Sequence, residues 1–154
     1  MNIQENENNR ETEIKDNIVH FYYVGRISYV KGVHVLLEAF HCIRNDNIQL
    51  HLIGGVSNKA ERIYMGKLQR QYQKDNRIVW HGKVSSNEVE HITRHFQALV
   101  HPTICLEVFG LDIAEALSQH KHVIATRCGG AEMQIREIAK PWLIRPNNVA
   151  ELKT

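Results

Sequence analysis

Two basic side chains lie between two glycines in the sequence GRISYVKG, residues 25–32. Arg26 can hold two phosphate oxygens with its planar guanidinium, and Lys31 adds a mobile ammonium. The segment has neither the G-x-G-x-x-G order of dinucleotide-binding turns nor the G-x-x-x-x-G-K-S/T order of P-loops. It is either a phosphate-binding turn of another kind or an ordinary solvated loop, and this motif alone leaves both interpretations open.

Two glutamates stand eight residues apart in the sequence LEVFGLDIAEAL. Glu107 follows a predicted strand and Glu115 lies in the predicted helix after it, so the pair spans the N-terminus of that helix. Free backbone N–H groups near Phe109, Gly110 and Leu111 would form an anion site there, supported by the helix dipole. Carboxylates accept hydrogen bonds from sugar hydroxyls, so the segment suits a ligand with phosphates and vicinal diols. The alternatives are a helix-dipole contact for Glu107 and a surface ion pair for Glu115.

A pair of glycines, Gly129 and Gly130, follows the next predicted strand. Glycines at such a place let a ligand approach the backbone closely. A strand-to-helix turn that needs a positive φ would explain them equally well.

Other side chains give weaker signals. His91 and His95 are spaced i, i+4 on a predicted helix, as zinc ligands often are, but no third ligand is evident nearby, so we expect no metal site. His101 precedes Pro102 at the end of a predicted strand and is a candidate ligand contact. Cys105 has no identifiable base beside it, so we do not expect a thiol nucleophile.

The composition limits the class of protein. The chain has 154 residues, 43% of them hydrophobic, enough for one packed core. No apolar run approaches the roughly 18 residues of a transmembrane helix, and the first residues lack a secretion-signal pattern. Three cysteines, an odd number, predict reduced thiols in a cytosol. A net charge of +2 is too small to imply a nucleic-acid partner.

Short apolar strands alternate with helices along the chain after a polar, Asn- and Glu-rich start. Residues 1–17 are predicted to be a disordered tail or interdomain linker. The predicted strands are 18–24, 48–53, 78–81, 98–103, 122–126 and 142–144, and the helices between them cover 33–40, 60–73, a segment starting at 85, 110–120 and 131–138, with a further start at 147–152. The fourth helix is expected to bury Leu111, Ala114 and Leu117.

This order predicts an α/β fold, a doubly wound Rossmann-like parallel sheet of about six strands with helices on both faces. Ligands of such sheets bind at the carboxyl ends of the strands. The motifs above all follow predicted strands, so we expect Arg26, Lys31, Glu107 and Glu115 to converge on one crevice.

Three motifs together resemble a known family: G-R-x-x-x-x-K-G, then H-P-T-x-x-x-E-x-F-G-L-x-x-x-E-A-L, then the Gly-Gly turn. They resemble retaining GT-B glycosyltransferases of family 4, also called group 1. The resemblance covers roughly residues 18–152 and implies the C-terminal, donor-binding half of such an enzyme. Residues 18–154 would then be a nucleotide-sugar-binding domain truncated at its C-terminal helices. Residues 138–142, IAKPW, depart from the glycine-containing turn usual there.

The resemblance implies roles for individual residues. Arg26 and Lys31 would bind the diphosphate and Glu107 the donor sugar, and these three are the predicted catalytic residues. Glu115 would contact the ribose, while the turn at Lys83 and Val84 would border the base. The full predicted donor-binding set is Gly25, Lys83, Val84, Phe109, Gly110, Leu111, Glu115, Gly129 and Gly130.

The expected activity follows from these roles. Cleavage of the sugar–phosphate bond builds negative charge on the nucleotide diphosphate, which two cations and a helix N-terminus would stabilise. No Asp-x-Asp sequence is present after residue 17, so we expect neither metal nor other cofactor. The expected donor is a UDP- or GDP-sugar, and the expected setting is cell-surface polysaccharide or lipopolysaccharide synthesis.

The resemblance also implies a missing partner, because GT-B enzymes hold the active site between two domains. We expect an N-terminal acceptor-binding domain, little activity without it, and membrane contact only through it. The expected location is the cytoplasm, peripheral to the inner face of the membrane in the full-length enzyme. The alternatives are a non-catalytic nucleotide- or partner-binding module and half of a GT-B-fold sugar-nucleotide epimerase.

Overall fold

The computed structural model describes residues 17–136 and 142–153. The predicted tail, apart from residue 17, and the unusual turn before Trp142 lie outside the described residues, so both remain predictions. Within the described ranges, no helix combines the length and the apolarity needed to cross a membrane.

Strands and helices alternate in the predicted order. The strands are β1 Val19–Val24, β2 Ile48–Ile53, β3 Ile78–Gly82, β4 Ala98–His101, β5 His122–Thr126 and β6 Trp142–Ile144. The helices are α1 Val33–Cys42, α2 Lys59–Gln71, α3 Ser86–Thr93, α4 Leu111–Ser118, α5 Gly130–Ile135 and α6 Val149–Leu152, with a 3-10 turn at Tyr29–Lys31. β4 is shorter than predicted because Pro102 follows it and has no N–H to continue the ladder.

All described strands are parallel and form one sheet in the order β3-β2-β1-β4-β5-β6. This is the doubly wound order, and it confirms the predicted fold class. The chain reverses its direction of winding between β1 and β4. Since ligands of doubly wound sheets bind outside the carboxyl ends of the strands at that point, the loops after β1 and β4 are the first place to look for a site.

Helices cover the two faces of the sheet with separate apolar clusters. On one face Leu37 of α1 packs with Leu50 of β2, and both are fully buried. On the other face Ile113 and Ala116 of α4 pack with Leu99 of β4. Ser85 caps α3, because its side chain accepts from the Glu88 N–H and the Glu88 carboxylate accepts from the Ser85 N–H.

The predicted buried face of α4 is correct only in part, since Leu117 packs against the core cluster. Ile113 and Ala116 are buried, whereas Leu111 is 76% exposed and Ala114 and Leu117 are only partly buried. Both sets of residues have helical spacing, so periodicity alone does not choose between them. The contact of α4 with the sheet does, and it leaves the first turn of the helix free at the carboxyl edge of β4.

Candidate functional site

Two adjoining cavities open at the carboxyl ends of β1, β2 and β4. The first, here called the Lys31 cavity, has a volume of about 220 Å³ and contains Lys31, His101, Glu107 and the start of α4 in its lining. The second, the Arg26 cavity, measures about 370 Å³ and is lined by Arg26, Lys83, Val84 and the Gly54-Gly55 turn among others. Val24 and Gly25 line both, so the cavities meet at the end of β1.

Lys31 and Glu107 form an ion pair in the Lys31 cavity, although 76 residues separate them in the chain. Both side chains are mostly buried, with 24% and 13% exposed. The two loops that carry them are tied together, because the N–H of Ile104 donates to the carbonyl of Val30 at 3.0 Å and the Thr103 hydroxyl donates to the same oxygen at 3.2 Å. The predicted cation and the predicted sugar-binding carboxylate are therefore brought together.

His101 connects Glu107 to a carboxylate that sequence reasoning did not single out. Its Nδ1 lies 2.7 Å from Oδ2 of Asp112, in the first turn of α4. Its Nε2 lies 2.8 Å from Oε2 of Glu107, but without the alignment of a hydrogen bond. The residue is only 5% exposed. An acid in the first turn of a helix usually reflects the helix dipole, so Asp112 gave no separate signal in the sequence.

The N-terminus of α4 borders the same cavity. Gly110 occupies the N-cap position and, within the described residues, no side chain caps the helix there. Phe109 and Leu111, on either side of it, are 56% and 76% exposed. The backbone N–H groups of this first turn are thus where the sequence predicted an anion site, next to the ammonium of Lys31.

The glycine pair supports the loop that carries Glu107. Gly129 has a φ of 59°, and a side chain there would collide with the backbone of Glu107. The N–H of Gly130 donates to the carbonyl of Glu107 at 2.7 Å, and a side chain on Gly130 would meet the carbonyl of Val108. The close approach that these glycines permit is made by the protein's own backbone. Direct contact between the pair and a ligand remains a prediction.

Arg26 is held at the entrance of the second cavity. Its Nη1 lies 3.2 Å from Oε1 of Glu61 in the first turn of α2, and the other Glu61 oxygen accepts from the Ser57 N–H at 2.6 Å. The hydroxyl of Tyr23 donates to the Arg26 carbonyl at 2.6 Å, and burial raises the pKa of Tyr23 far above its ordinary value. The guanidinium remains about half exposed and can reach a ligand.

The expected convergence of four charged side chains is incomplete. Lys31 and Glu107 share one cavity and Arg26 lines its neighbour, whereas Glu115 is exposed on α4 and lines neither. The predicted ribose contact of Glu115 is therefore not visible in the cavity geometry. Lys83 and Val84 line the Arg26 cavity, on the side where the base was predicted.

Among the described residues, no group of three or more His, Cys, Asp or Glu side chains is placed to hold a metal ion, and metal independence remains a prediction. His91 and His95 do not share a helix, because α3 ends at Thr93. Cys105 lies 3.5 Å from the Thr103 hydroxyl, between two loops of the site.

The two cavities offer different chemistry side by side. The Lys31 cavity holds acceptors for hydroxyl groups, the carboxylates of Glu107 and Asp112, beside one ammonium. The Arg26 cavity holds two cations, Arg26 and Lys83, beside a glycine turn. A ligand with a hydroxyl-rich part and an anionic part fits this arrangement, because each part meets groups of complementary charge.

Comparison with known proteins identifies the family of the chain. The chain matches the family described as glycosyl transferases group 1 over residues 4–154. Among solved structures, Anabaena Alr3699/HepE in complex with UDP and glucose is 25% identical with a TM-score of 0.78, and the match covers 89% of this chain and 37% of that one. Sucrose-phosphate synthase from Thermosynechococcus elongatus is 27% identical with a TM-score of 0.76, covering 90% and 35%.

A third similar structure is the C-terminal domain of a Francisella tularensis group 1 glycosyl transferase (LpcC). The match covers 88% of this chain and 71% of the LpcC domain, with a TM-score of 0.76 and 23% identity. Comparison with curated proteins gives no match. The chain spans just over a third of the length of the Anabaena and Thermosynechococcus proteins. The family match covers nearly the whole sequence, and the chain therefore belongs to the glycosyl transferases group 1 family, with the Rossmann-like fold of the C-terminal domain of GT-B glycosyltransferases.

Proposed function

We propose that this domain binds a nucleotide-diphosphate sugar as the donor half of a retaining glycosyltransferase. The observation that carries the proposal is the Lys31–Glu107 pair at the N-terminus of α4, beside a cavity that holds Arg26 and Lys83. The sugar would lie in the Lys31 cavity and the nucleotide would extend into the Arg26 cavity. The diphosphate would sit where the cavities meet, near Gly25.

The chemistry of the proposed reaction assigns each charged group a task. When the bond between the sugar and the diphosphate breaks, negative charge grows on the leaving phosphate. Arg26, Lys31 and the backbone N–H groups at the start of α4 are fixed in advance and stabilise that charge. Glu107 would orient the sugar hydroxyls and favour the positive charge that develops on the sugar ring. It would not act as a nucleophile.

The structural neighbours support a uridine nucleotide as the first donor to test. The Anabaena protein has been solved with UDP and with UDP-glucose. We propose UDP-sugars ahead of GDP-sugars on this ground. We also propose cell-surface polysaccharide or lipopolysaccharide assembly as the setting, and a neighbour of like fold at 21% identity is the lipopolysaccharide outer core galactosyltransferase WaaB.

Transfer itself would need more than this domain. We propose that an acceptor-binding domain closes over the Lys31 cavity, that the reaction takes place on the cytoplasmic side of the membrane, and that it needs no metal ion. Arg26 and Lys31 would stabilise the negative charge on the leaving diphosphate, as a divalent metal ion would. The domain alone would bind donor without efficient turnover.

Calorimetric titration of the chain with UDP-glucose, UDP, GDP-mannose, GDP and ADP tests the proposal. We expect selective binding of one nucleotide with its sugar, unchanged by EDTA. Arg26→Ala should weaken it by about 10- to 100-fold, since a charge-assisted contact contributes about 1.5–3 kcal/mol. The matched control is Arg44→Ala, which removes an exposed arginine at the opposite edge of the sheet.

Two results would contradict the proposal: none of these nucleotides binds, or Arg44→Ala weakens binding as much as Arg26→Ala. Glu115→Ala tests the ribose contact by itself, because an exposed glutamate outside the cavities should leave affinity unchanged unless the nucleotide reaches it. Epimerised sugar released from a bound donor would favour the epimerase alternative. Binding without transfer in the presence of an acceptor domain would favour the non-catalytic one.

A further inference from the structure

Four charged or titratable side chains form a continuous series through the Lys31 cavity. Asp112 contacts Nδ1 of His101 at 2.7 Å, Nε2 of His101 lies 2.8 Å from Oε2 of Glu107, and Oε1 of Glu107 contacts Lys31. His101 is 95% buried, so its ring is not free to turn toward solvent. Each oxygen of the Glu107 carboxylate is thus in contact with a different neighbour.

One link of this series is close but not aligned. Among the described residues, Nε2 of His101 has no hydrogen-bond partner, even though a carboxylate oxygen lies within range. A buried ring nitrogen without a partner is costly and calls for an explanation. Hydrogen bonds in active sites are often poorly aligned before the ligand binds and tighten in the complex.

We propose that His101 is a positioning residue that sets the orientation of the Glu107 carboxylate, and with it the selectivity of the site for the sugar part of a nucleotide sugar. The inference rests on the function proposed above. Asp112 would hold the imidazole ring through Nδ1, so that Nε2 can donate to Glu107 and fix it from the side opposite Lys31. His101 itself would not touch the donor.

The groups that face His101 decide how well it can do this. Asp112 from α4 and Glu107 from the loop after β4 contact it directly. Lys31 from the 3-10 turn and Tyr23 from β1 line the same cavity. The imidazole lies between two carboxylates, with Nδ1 beside Asp112 and Nε2 beside Glu107. Lys31 alone cannot fix Glu107, because an ammonium on a flexible chain sets distance but little direction.

The two parts of a bound donor should respond differently to a change at His101. Glu107 faces the Lys31 cavity, where the sugar would lie, and Arg26 and Lys83 lie in the neighbouring cavity. Loss of the His101 contact should therefore weaken binding of the nucleotide sugar and leave binding of the free nucleotide unchanged. A general loss of packing would weaken both.

The test compares two amides of similar polarity. In His101→Gln the amide nitrogen reaches the position of Nε2 and can donate to Glu107, whereas in His101→Asn it reaches only the position of Nδ1 and contacts Asp112. Calorimetric titration with UDP-glucose and UDP, or with GDP-mannose and GDP if that base binds, gives the affinity ratio. We expect wild type and His101→Gln to prefer the nucleotide sugar. His101→Asn should lose about tenfold of that preference, with affinity for the nucleotide unchanged.

Asp112→Asn is the second variant, since the Asp112 side chain is 17% exposed against 6% for His101 and its change threatens the fold less. It should lower the ratio of nucleotide-sugar affinity to nucleotide affinity, because the imidazole of His101 would be held less firmly. The inference is overturned if the wild-type chain binds nucleotide sugar and nucleotide equally well, if both amides behave alike, or if Asp112→Asn leaves the ratio unchanged. Failure of wild type to bind any nucleotide would instead remove the proposed function, and the inference with it.

Discussion

Three histidines on adjacent strands form a hydrogen-bonded row across the sheet, away from the candidate site. Nδ1 of His20 lies 2.9 Å from Nε2 of His51, and Nδ1 of His51 lies 3.0 Å from Nε2 of His81. The ring of Phe96 stacks on His51 with 4.1 Å between ring centroids. His51, in the middle, is only 6% exposed. A proton added to this ring would be poorly solvated and close to two neighbouring imidazoles.

Acid should therefore destabilise the fold through His51. Burial, and then the charges of His20 and His81, lower the pKa of His51 from 6.5 to about 4. Between these two values the unfolded chain binds a proton that the folded chain does not, so the free energy of unfolding falls as pH falls. Above pH 6.5 the contribution of His51 to the free energy of unfolding is complete, and below about pH 4 that contribution is lost. At about 1.4 kcal/mol per pH unit, the whole loss is about 3 kcal/mol.

Urea denaturation between pH 8 and pH 4, followed by tryptophan fluorescence, measures this loss when wild type is compared with His51→Phe. The phenylalanine keeps an aromatic ring against Phe96 but cannot titrate. Between pH 7 and pH 4, we expect the unfolding free energy of wild type to fall by about 3 kcal/mol more than that of His51→Phe. His122→Phe, at an exposed histidine at the start of β5, is the control and should follow wild type. Parallel curves for wild type and His51→Phe would refute the reasoning.

Two further changes test elements that hold the site in place. Gly32→Ala should lower the free energy of unfolding by about 2 kcal/mol or more, because Gly32 has a φ of 70° and a side chain there would collide with the carbonyl of Pro102. Urea denaturation measures this loss, and an unchanged denaturation midpoint would contradict the clash. Lys121→Met should lower the free energy of unfolding by about 1–3 kcal/mol in the same assay, because Nζ of Lys121 donates to the carbonyls of Thr93 and Phe96 at 2.6 and 2.9 Å where α3 ends. Lys74→Met, at an exposed lysine, is the control. If both variants lose the same stability, the bonds of Lys121 contribute nothing.

The fold could be predicted well because its signals are local. β2, β5 and β6 have the predicted bounds, since each is a short apolar run between polar or glycine-rich turns. The prediction of β4 was two residues too long because Thr103 continues the β-branched pattern after Pro102. The buried face of α4 was correct only in part, since the orientation of a short helix depends on which side contacts the sheet.

The candidate site could be predicted only in part, for the same reason. Lys31 was singled out as a cation between two glycines after a strand, and Glu107 as a carboxylate at the N-terminus of the next predicted helix. The fold brings the two into contact. Asp112 was missed because a carboxylate in the first turn of a helix is common. Its distinguishing feature is the 2.7 Å contact with His101, eleven residues earlier in the chain, which depends on how α4 leaves the sheet.

By itself, the sequence determined the elements, their order and the residue types that follow each strand, because hydrophobic period, capping residues and glycine turns act over a few residues. Only the tertiary structure decided which of those residues meet. It paired Lys31 with Glu107 across 76 residues, placed Arg26 in a neighbouring cavity and left Glu115 exposed outside both cavities. Contacts between distant segments depend on strand order, loop path and helix rotation together, and no local pattern encodes that combination.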